Sequence, residues 1–322
     1  MMMVLIMSNS LLKIIDVIKE SNKIIILPHI MPDGDTIGSS MALCLALKRL
    51  GKDVKIIVDE PLPDNIKFIE FEAIDEHVNE FQYDLCIAID CSDTERLGNR
   101  RRYLNGCTIN IDHHITNNFY GKYNLVNPKA AATGEIIYDL IKALNVDMDK
   151  KIATCIYTAL STDTGSFKYD NTTSKTHRIV AELIETGISV NSINVELYQN
   201  KPINKVKLLK DVINTIKFYY DGKVSIMHVT QKMLANNKMA LSDTDGLIEI
   251  GRDIWGVEVS ILLKELEEKK VKVGLRSKYD VDVSKIAEIF GGGGHKKAAG
   301  CLINDSIKKV NEIIIDNIEE YL

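Results

Sequence analysis

Four runs of apolar and mostly β-branched residues, spaced over the first third of the chain, constrain the fold more than any other feature. They are residues 24–27, 54–58, 84–89 and 107–111. A run that is apolar at every position is typical of a strand buried on both faces of its sheet. A helical pattern at 37–50 follows the first run, and two more, at 133–144 and 148–160, follow the last. This order predicts an α/β fold in which helices flank a mostly parallel sheet.

A second, smaller domain is indicated by a change of pattern after about residue 190. A chain of 322 residues exceeds the usual size of one domain. We predict a first domain over residues 1–190, a helical linker over 191–217 and a smaller α/β domain over 218–322. Clefts between domains commonly bind ligands, so the active site is expected between the two domains.

Acidic and imidazole side chains cluster where the predicted elements of the first domain end. In chain order they are His29, Asp33, Asp35, Asp90, Asp112, His113, His114 and Asp163. Asp163 follows the helical pattern that ends at residue 160, and the others follow strands. Because the carboxyl ends of parallel strands face one crevice, we expect these side chains to lie close together.

Several carboxylates in one crevice repel one another unless a cation neutralises them. Oxygen and imidazole ligands suit manganese or magnesium. Two such ions that share a carboxylate activate water and bind the oxygens of a phosphoryl group during in-line displacement. The residues therefore predict metal-dependent hydrolysis of a phosphate ester, with two divalent ions and with Mn²⁺ preferred over Mg²⁺ or Co²⁺.

Other acidic and histidine residues are given no part in this site. Asp59 and Asp64 are interpreted as turn or helix-capping residues, and Asp93 as support for the turn after the third strand. His177 and His228 are interpreted as ordinary polar residues whose hydrogen bonds are satisfied.

Basic residues form no continuous track along the chain. The net charge is −5, and the one tight basic cluster, Arg100–Arg102, is interpreted as a solvated face. A protein that binds long nucleic acid is normally basic, so no stable complex with long nucleic acid is expected. The N-terminus lacks the basic segment of a signal peptide, and no apolar stretch is long enough to span a membrane. We expect a cytoplasmic protein without membrane association.

Near the C-terminus a glycine run precedes a histidine: Gly291, Gly292, Gly293, Gly294 and His295. Consecutive glycines cost backbone entropy, and a loop without side chains lets backbone N–H groups approach a phosphate or ribose. We predict that this segment binds substrate, with His295 and Lys296 as donors. Arg276 can bind a phosphate or stack on a base. Lys297 is predicted to lie on the surface.

The segments HIMPDGDTIGS, AIDCSD, NIDHH and STDTGSF resemble the four motifs of the DHH phosphoesterase superfamily. GLRSK and GGGGHKKAAG resemble the DHH-associated C-terminal domain, so the resemblance covers residues 23–303. Within the superfamily the chain is most similar to the bifunctional oligoribonucleases (nanoRNases) and pAp phosphatases. The resemblance implies hydrolysis of short oligoribonucleotides to mononucleotides and dephosphorylation of 3′-phosphoadenosine 5′-phosphate (pAp) to AMP.

The resemblance also implies a role for each residue of the site, with Asp90 bridging two ions. The further ligands would be His29 and Asp33 for the first ion, and Asp35, His113 and Asp163 for the second. Asp112 would orient a neighbouring histidine or turn. His114 would face the substrate phosphate, stabilising its charge or protonating the leaving oxygen. Arg276 and His295 would hold the end of the substrate that lies away from the ions.

Alternatives remain at this point. A phosphodiesterase acting on cyclic di-AMP or its linear product would use the same motifs. A nucleotide-sensing protein without catalysis would require a damaged set of ligands, whereas every acidic and imidazole position of the motifs is present. The expected partners are short RNA and nucleotide phosphates, and a homodimer stays open.

Overall fold

The computed structural model describes residues 2–72, 74–75 and 81–322. These residues form two compact units that divide between Asn200 and Lys201, inside the segment predicted as a linker.

The described strands of the first unit form one parallel sheet. They are β1 (Lys23–Pro28), β2 (Asp53–Ile57), β3 (Ile74–Asp75), β4 (Leu85–Ile89), β5 (Thr108–Asp112) and β6 (Tyr123–Val126). Their order is β3-β2-β1-β4-β5-β6, and every pairing is parallel. The prediction of a parallel α/β sheet is confirmed. The strands β3 and β6 were not predicted, because they are short and their apolar runs are interrupted.

Helices lie on both faces of this sheet, with the α-helices on one face and the 3₁₀ helix at Glu95–Tyr103 on the other. They are α1 (Met2–Glu20), α2 (Gly34–Arg49), α3 (Thr133–Ala143), α4 (Lys150–Asp163), α5 (Ser174–Glu185) and α6 (Val190–Asn194), with 3₁₀ helices at Asp64–Ile69 and Glu95–Tyr103 and a π-helical turn at Val195–Gln199. Ile24 and Ile26 join one apolar core, whereas Ile25 and Leu27 join another. The unbroken apolar run in β1 therefore reflects burial on both faces.

Two helices of the first unit touch at their backbones. A Cβ atom on Gly38 of α2 would lie 2.5 Å from the carbonyl oxygen of Cys155 in α4, so a larger residue does not fit there. This packing brings the first turn of α2, with Asp35, beside the last turn of α4, with Asp163. Asp163 is the last residue of α4, so the prediction that it follows the helix is wrong by one turn.

The prediction of a solvated Arg100 is also wrong. Its side chain is fully buried, its Nη1 donates to the carbonyl oxygen of Ile57 at 2.9 Å, and its Nε lies 3.5 Å from Asp59 Oδ2. The reason is that the 3₁₀ helix turns this side chain under the end of β2. Arg101 and Arg102 are exposed, as predicted.

The second unit is built on a mixed sheet. Its elements are α7 (Ile203–Ile213), β7 (Lys217–Tyr219), β8 (Val224–Val229), α8 (Gln231–Asn237), α9 (Leu247–Arg252), β9 (Val259–Glu267), β10 (Lys270–Ser277), α10 (Val283–Ile289), β11 (Gly293–His295), β12 (Ala298–Ile303) and α11 (Ile307–Ile318), with 3₁₀ helices at Leu241–Thr244 and Glu319–Tyr321. The sheet order is β11-β12-β10-β9-β8-β7, in which only β8 and β9 are parallel. The α7 residues Leu208 and Val212 pack in a core of this unit.

The glycine run is only partly the loop that was predicted. Gly293–His295 form the edge strand β11, paired with β12. Gly291 has a φ of 71°, which favours glycine, and a side chain on Gly292 would collide with the backbone of Gly300. Close backbone packing thus explains part of the run. Lys297 is not a free surface residue, because its Nζ donates to the carbonyl oxygens of Lys278 and Tyr279.

No helix in the described part of the chain has both the length and the apolar character needed to cross a bilayer.

Candidate functional site

The candidate site lies where the strand order of the first unit reverses. β1 and β4 are neighbours whose chain connections leave in opposite directions, which opens a crevice at their carboxyl ends. His29 directly follows β1, and Asp90 directly follows β4. Asp90 has a φ of 57°, which is uncommon for a residue other than glycine, and its N–H donates to Ile111. The fold therefore fixes Asp90 firmly at the centre of the crevice.

A first group of candidate ligands consists of His29, Asp33 and Asp90, whose ligand atoms lie within 4.8 Å of one another. His29 Nε2 is 3.7 Å from Asp33 Oδ2 and 3.5 Å from Asp90 Oδ2. The Nδ1 of His29 is 2.7 Å from the carbonyl oxygen of Ile30, which orients the ring. Asp33 caps α2 by accepting from the N–H groups of Asp35 and Thr36 with Oδ1. Its Oδ2 is left facing the crevice.

A second group consists of Asp35, His113 and Asp163, again within 4.8 Å of one another. His113 Nε2 lies 3.9 Å from Asp35 Oδ2 and 3.6 Å from Asp163 Oδ2. It also lies 3.7 Å from Asp90 Oδ1, the carboxylate oxygen that does not face His29. Asp90 therefore presents one oxygen to each group, which is the arrangement of a bridging carboxylate.

The start of α3 donates hydrogen bonds to both groups, a contribution that was not predicted from the sequence. Asp35 accepts from the N–H groups of Thr133 and Gly134 at 2.7 and 3.0 Å. The Thr133 hydroxyl donates to Asp90 Oδ1 at 2.8 Å. Thr133 is the first residue of α3 and Ala132 is its N-cap, so the Thr133 hydroxyl serves the site and does not cap the helix. The run of small residues at 130–134 was a usable signal, because small residues allow a helix start to approach a sheet edge closely.

Charges crowd this crevice. Burial, followed by the charges of Asp90 and Asp163, raises the pKa of Asp35 well above its usual value. Burial is also the main cause that raises the pKa of Asp163 to about 6. For His29 burial acts to lower the pKa, but Asp33 and Asp90 outweigh it and raise the pKa to about 10. The raised pKa values of Asp35 and Asp163 indicate that too little positive charge lies near these two carboxylates to balance them. Carboxylate and imidazole donors are ligands that suit a divalent ion such as manganese or magnesium. The residues present fit a metal centre.

Asp112 and His114 form a separate pair beside the two groups. Asp112 is fully buried and accepts from the N–H of His113, from His114 Nδ1 at 2.7 Å and from Asn117 Nδ2 at 2.6 Å. Since a carboxylate only accepts, the proton lies on His114 Nδ1, and the Nε2 atom is left to face other groups. Burial acts to lower the pKa of His114, but Asp112 and Asp90 raise it above its usual value. The hydrogen bond to Asp112 thus favours the protonated form of His114.

In the second unit, Arg276 and His295 lie on one face of the sheet. Both are in register with Ala298, which lies between them on β12. Arg276 Nε donates to Glu249 Oε1 at 3.2 Å, a partner that the sequence did not suggest. That these two residues bind substrate stays a prediction.

Binding of a divalent ion to the first group is expected to release about one proton at pH 7.5. His29 carries a proton without an ion because its pKa is near 10, and a metal ligand must be a neutral imidazole. The apparent affinity should therefore rise with pH, by up to about tenfold per unit for each proton displaced. Calorimetric titration with manganese in two buffers of different ionisation enthalpy measures this proton. A variant with His177→Gln, outside both groups, serves as the control, and equal heats in both buffers would contradict the expectation.

Residues 23–160 match the family described as DHH family, N-terminal domain, and residues 221–322 match the DHHA1 domain. The chain is 34% identical over 305 residues to a Thermus thermophilus protein named bifunctional oligoribonuclease and PAP phosphatase NrnA, covering 93% of this chain and 90% of that protein. A Bacillus subtilis protein of the same name is 30% identical, over 87% of this chain and 89% of its own length. The crystal structure of an exopolyphosphatase-related protein from Bacteroides fragilis is similar, with a TM-score of 0.90, 27% identity and 97% of each chain covered.

Proposed function

The chain belongs to the DHH family, and we propose that it is a metal-dependent phosphoesterase. In this proposal it hydrolyses short oligoribonucleotides to mononucleotides and dephosphorylates pAp to AMP. The observation that carries the proposal is the position of Asp90, which belongs to the first group of Asp and His residues and lies 3.7 Å from His113 of the second. The names of the Thermus and Bacillus relatives support the choice of substrates.

We propose that two divalent ions, most readily Mn²⁺, occupy the two groups. His29 and Asp33 would hold the first, Asp35, His113 and Asp163 the second, and Asp90 both. When bound, such ions supply a nucleophilic water at neutral pH and neutralise charge on the phosphoryl oxygens. The hydrogen bonds from Thr133 and Gly134 hold Asp35 in place for this role. The cytoplasmic location and a homodimer remain predictions.

His114 is proposed as the group that protonates the leaving oxygen. Its Nδ1 is bound to Asp112, which fixes the ring and favours the protonated form. Its Nε2 can then donate to the oxygen that departs from phosphorus. Asp112 acts through His114 and does not touch the substrate in this proposal.

The end of the substrate remote from the ions is proposed to bind Arg276 and His295. The guanidinium of Arg276 can form two parallel hydrogen bonds with a phosphate. Ala298, which carries only a methyl group, lies between the two residues in the sheet. In this proposal the preferred substrates are short molecules held at both of their ends.

A ladder of RNA lengths tests the proposed function. We expect kcat/KM to fall by at least about tenfold between two and twenty nucleotides, about 1.4 kcal/mol of transition-state binding, because only short chains engage both ends. In the Arg276→Ala variant kcat/KM should depend less on RNA length. The control Lys272→Ala, which changes an exposed residue of the same strand, should keep the dependence of the native protein. Equal rates on two and twenty nucleotides would contradict the proposal. Cyclic and linear di-adenylate belong in the same assay, since faster turnover of either one would favour the dinucleotide phosphodiesterase instead.

A further inference from the structure

Arg96 lies outside both groups of candidate ligands, and its backbone connects two loops of the candidate site. Its N–H donates to Asp93 Oδ1 at 3.0 Å, and its carbonyl oxygen accepts from the N–H of Ile30 at 2.8 Å. Ile30 follows His29, and Asp93 lies in the loop that begins at Asp90. Arg96 is therefore fixed between the loops that leave β1 and β4.

One donor of the Arg96 side chain is not satisfied by the described part of the protein. Its Nε is buried and has no hydrogen-bond partner there, and no ion pair among the described residues includes it. A buried donor without a partner destabilises the protein until a ligand satisfies it. Arg101, in the same 3₁₀-helical segment but beyond its kink at Gly98, is 60% exposed and pairs with Glu95. Arg96 thus differs from an ordinary surface arginine.

The two hydrogen bonds of the Arg96 backbone place this residue near the carboxyl ends of β1 and β4, where the first group of candidate ligands lies.

A charge count supports a role for Arg96 in binding an anion. The carboxylates of the two groups are Asp33, Asp35, Asp90 and Asp163, and two divalent ions would balance these four negative charges. With both ions bound, Arg96 is not needed to neutralise these carboxylates, so its buried Nε is available to an anion that binds beside the ions.

We propose that Arg96 binds a non-bridging oxygen of the substrate phosphate at the metal centre. The ligand is a phosphate monoester or diester, which matches the donor geometry of a guanidinium. Asp33 is 59% exposed on its side chain, so the edge beside this group is open to such a ligand. The inference rests on the proposed function, because the charge count requires two bound ions.

The test uses inorganic phosphate as the probe and manganese-loaded protein. Calorimetry should show that Arg96→Ala weakens phosphate binding by about 10- to 100-fold, while Arg96→Lys loses less. The affinity for manganese should stay within about twofold of the native protein, and the matched control Arg101→Ala should bind phosphate normally. Methylguanidinium added to Arg96→Ala should restore part of the phosphate affinity.

Three results would overturn the inference. They are no phosphate binding by the native protein, unchanged phosphate affinity in Arg96→Ala, or a parallel loss of manganese affinity, which would make Arg96 a structural support of the ligands. The failure of the proposed function is distinguishable from the failure of this inference. If the native protein hydrolyses neither pAp nor dinucleotides, but the Arg96→Ala substitution weakens phosphate binding, the proposed substrates are wrong and the role of Arg96 is supported.

Discussion

Replacing Asp90 with asparagine is expected to lower kcat/KM on pAp and on dinucleotides by at least about 10³-fold, roughly 4 kcal/mol of transition-state stabilisation. The reason is that its two carboxylate oxygens face different groups of ligands. Oδ2 lies 3.5 Å from His29 Nε2 in the first group, and Oδ1 lies 3.7 Å from His113 Nε2 in the second. Asparagine offers one oxygen without charge, so it cannot serve both groups.

Asparagine is the informative replacement because it tolerates the backbone of this position. Asp90 has a φ of 57°, a region that asparagine adopts more readily than alanine does. A loss of activity in Asp90→Asn therefore reports on the carboxylate and not on the turn, and a thermal unfolding curve close to that of the native protein would verify this.

Counting the manganese ions bound by each variant distinguishes a carboxylate that bridges two ions from one that binds a single ion. Equilibrium dialysis followed by plasma mass spectrometry should show that Asp90→Asn weakens manganese binding at both sites, while Asp163→Asn weakens it at one. Asp64→Asn is a suitable control, because this carboxylate is 86% exposed and pairs only with Lys67 among the described residues. Manganese-dependent turnover retained in Asp90→Asn would refute the bridge.

The position of the central ligands could be predicted because it depends on topology alone. Each of His29, Asp90 and Asp112 lies at or just beyond the end of an apolar run, and parallel strands bring such ends together whatever the details of packing. The sequence pattern that defines the strands therefore also locates the site.

Contacts that depend on how separate elements pack could not be read from the sequence in the same way. Thr133 reaches Asp90 because α3 begins against the end of β4, 43 residues away along the chain. Arg100 is buried because a 3₁₀ helix turns it towards Ile57, although the two residues that follow it are exposed arginines. Gly292 is packed against Gly300, so part of the glycine run serves the sheet. In each case a long-range contact decides the role.

Replacing His114 with alanine is expected to lower kcat on pAp by about 10²- to 10³-fold, the usual contribution of a general acid. The departing group of pAp is a ribose alkoxide, which needs a proton as it leaves. A nucleotide p-nitrophenyl ester has a leaving group that departs without one. The same variant should therefore lose less than about tenfold on that ester. Stopped assays of both substrates, with manganese held at saturation, give this comparison.

Asp112→Asn should show the same dependence on the leaving group, because Asp112 keeps the proton on His114 Nδ1 through a 2.7 Å hydrogen bond. An amide leaves at least one of the donors of His113, His114 and Asn117 without an acceptor and removes the charge that favours protonated His114. Equal losses on both substrates in His114→Ala would contradict a role as proton donor. They would instead indicate that His114 binds the ions or stabilises the charge of the phosphate. The manganese affinity of His114→Ala distinguishes these two roles, because it falls only if His114 binds the ions.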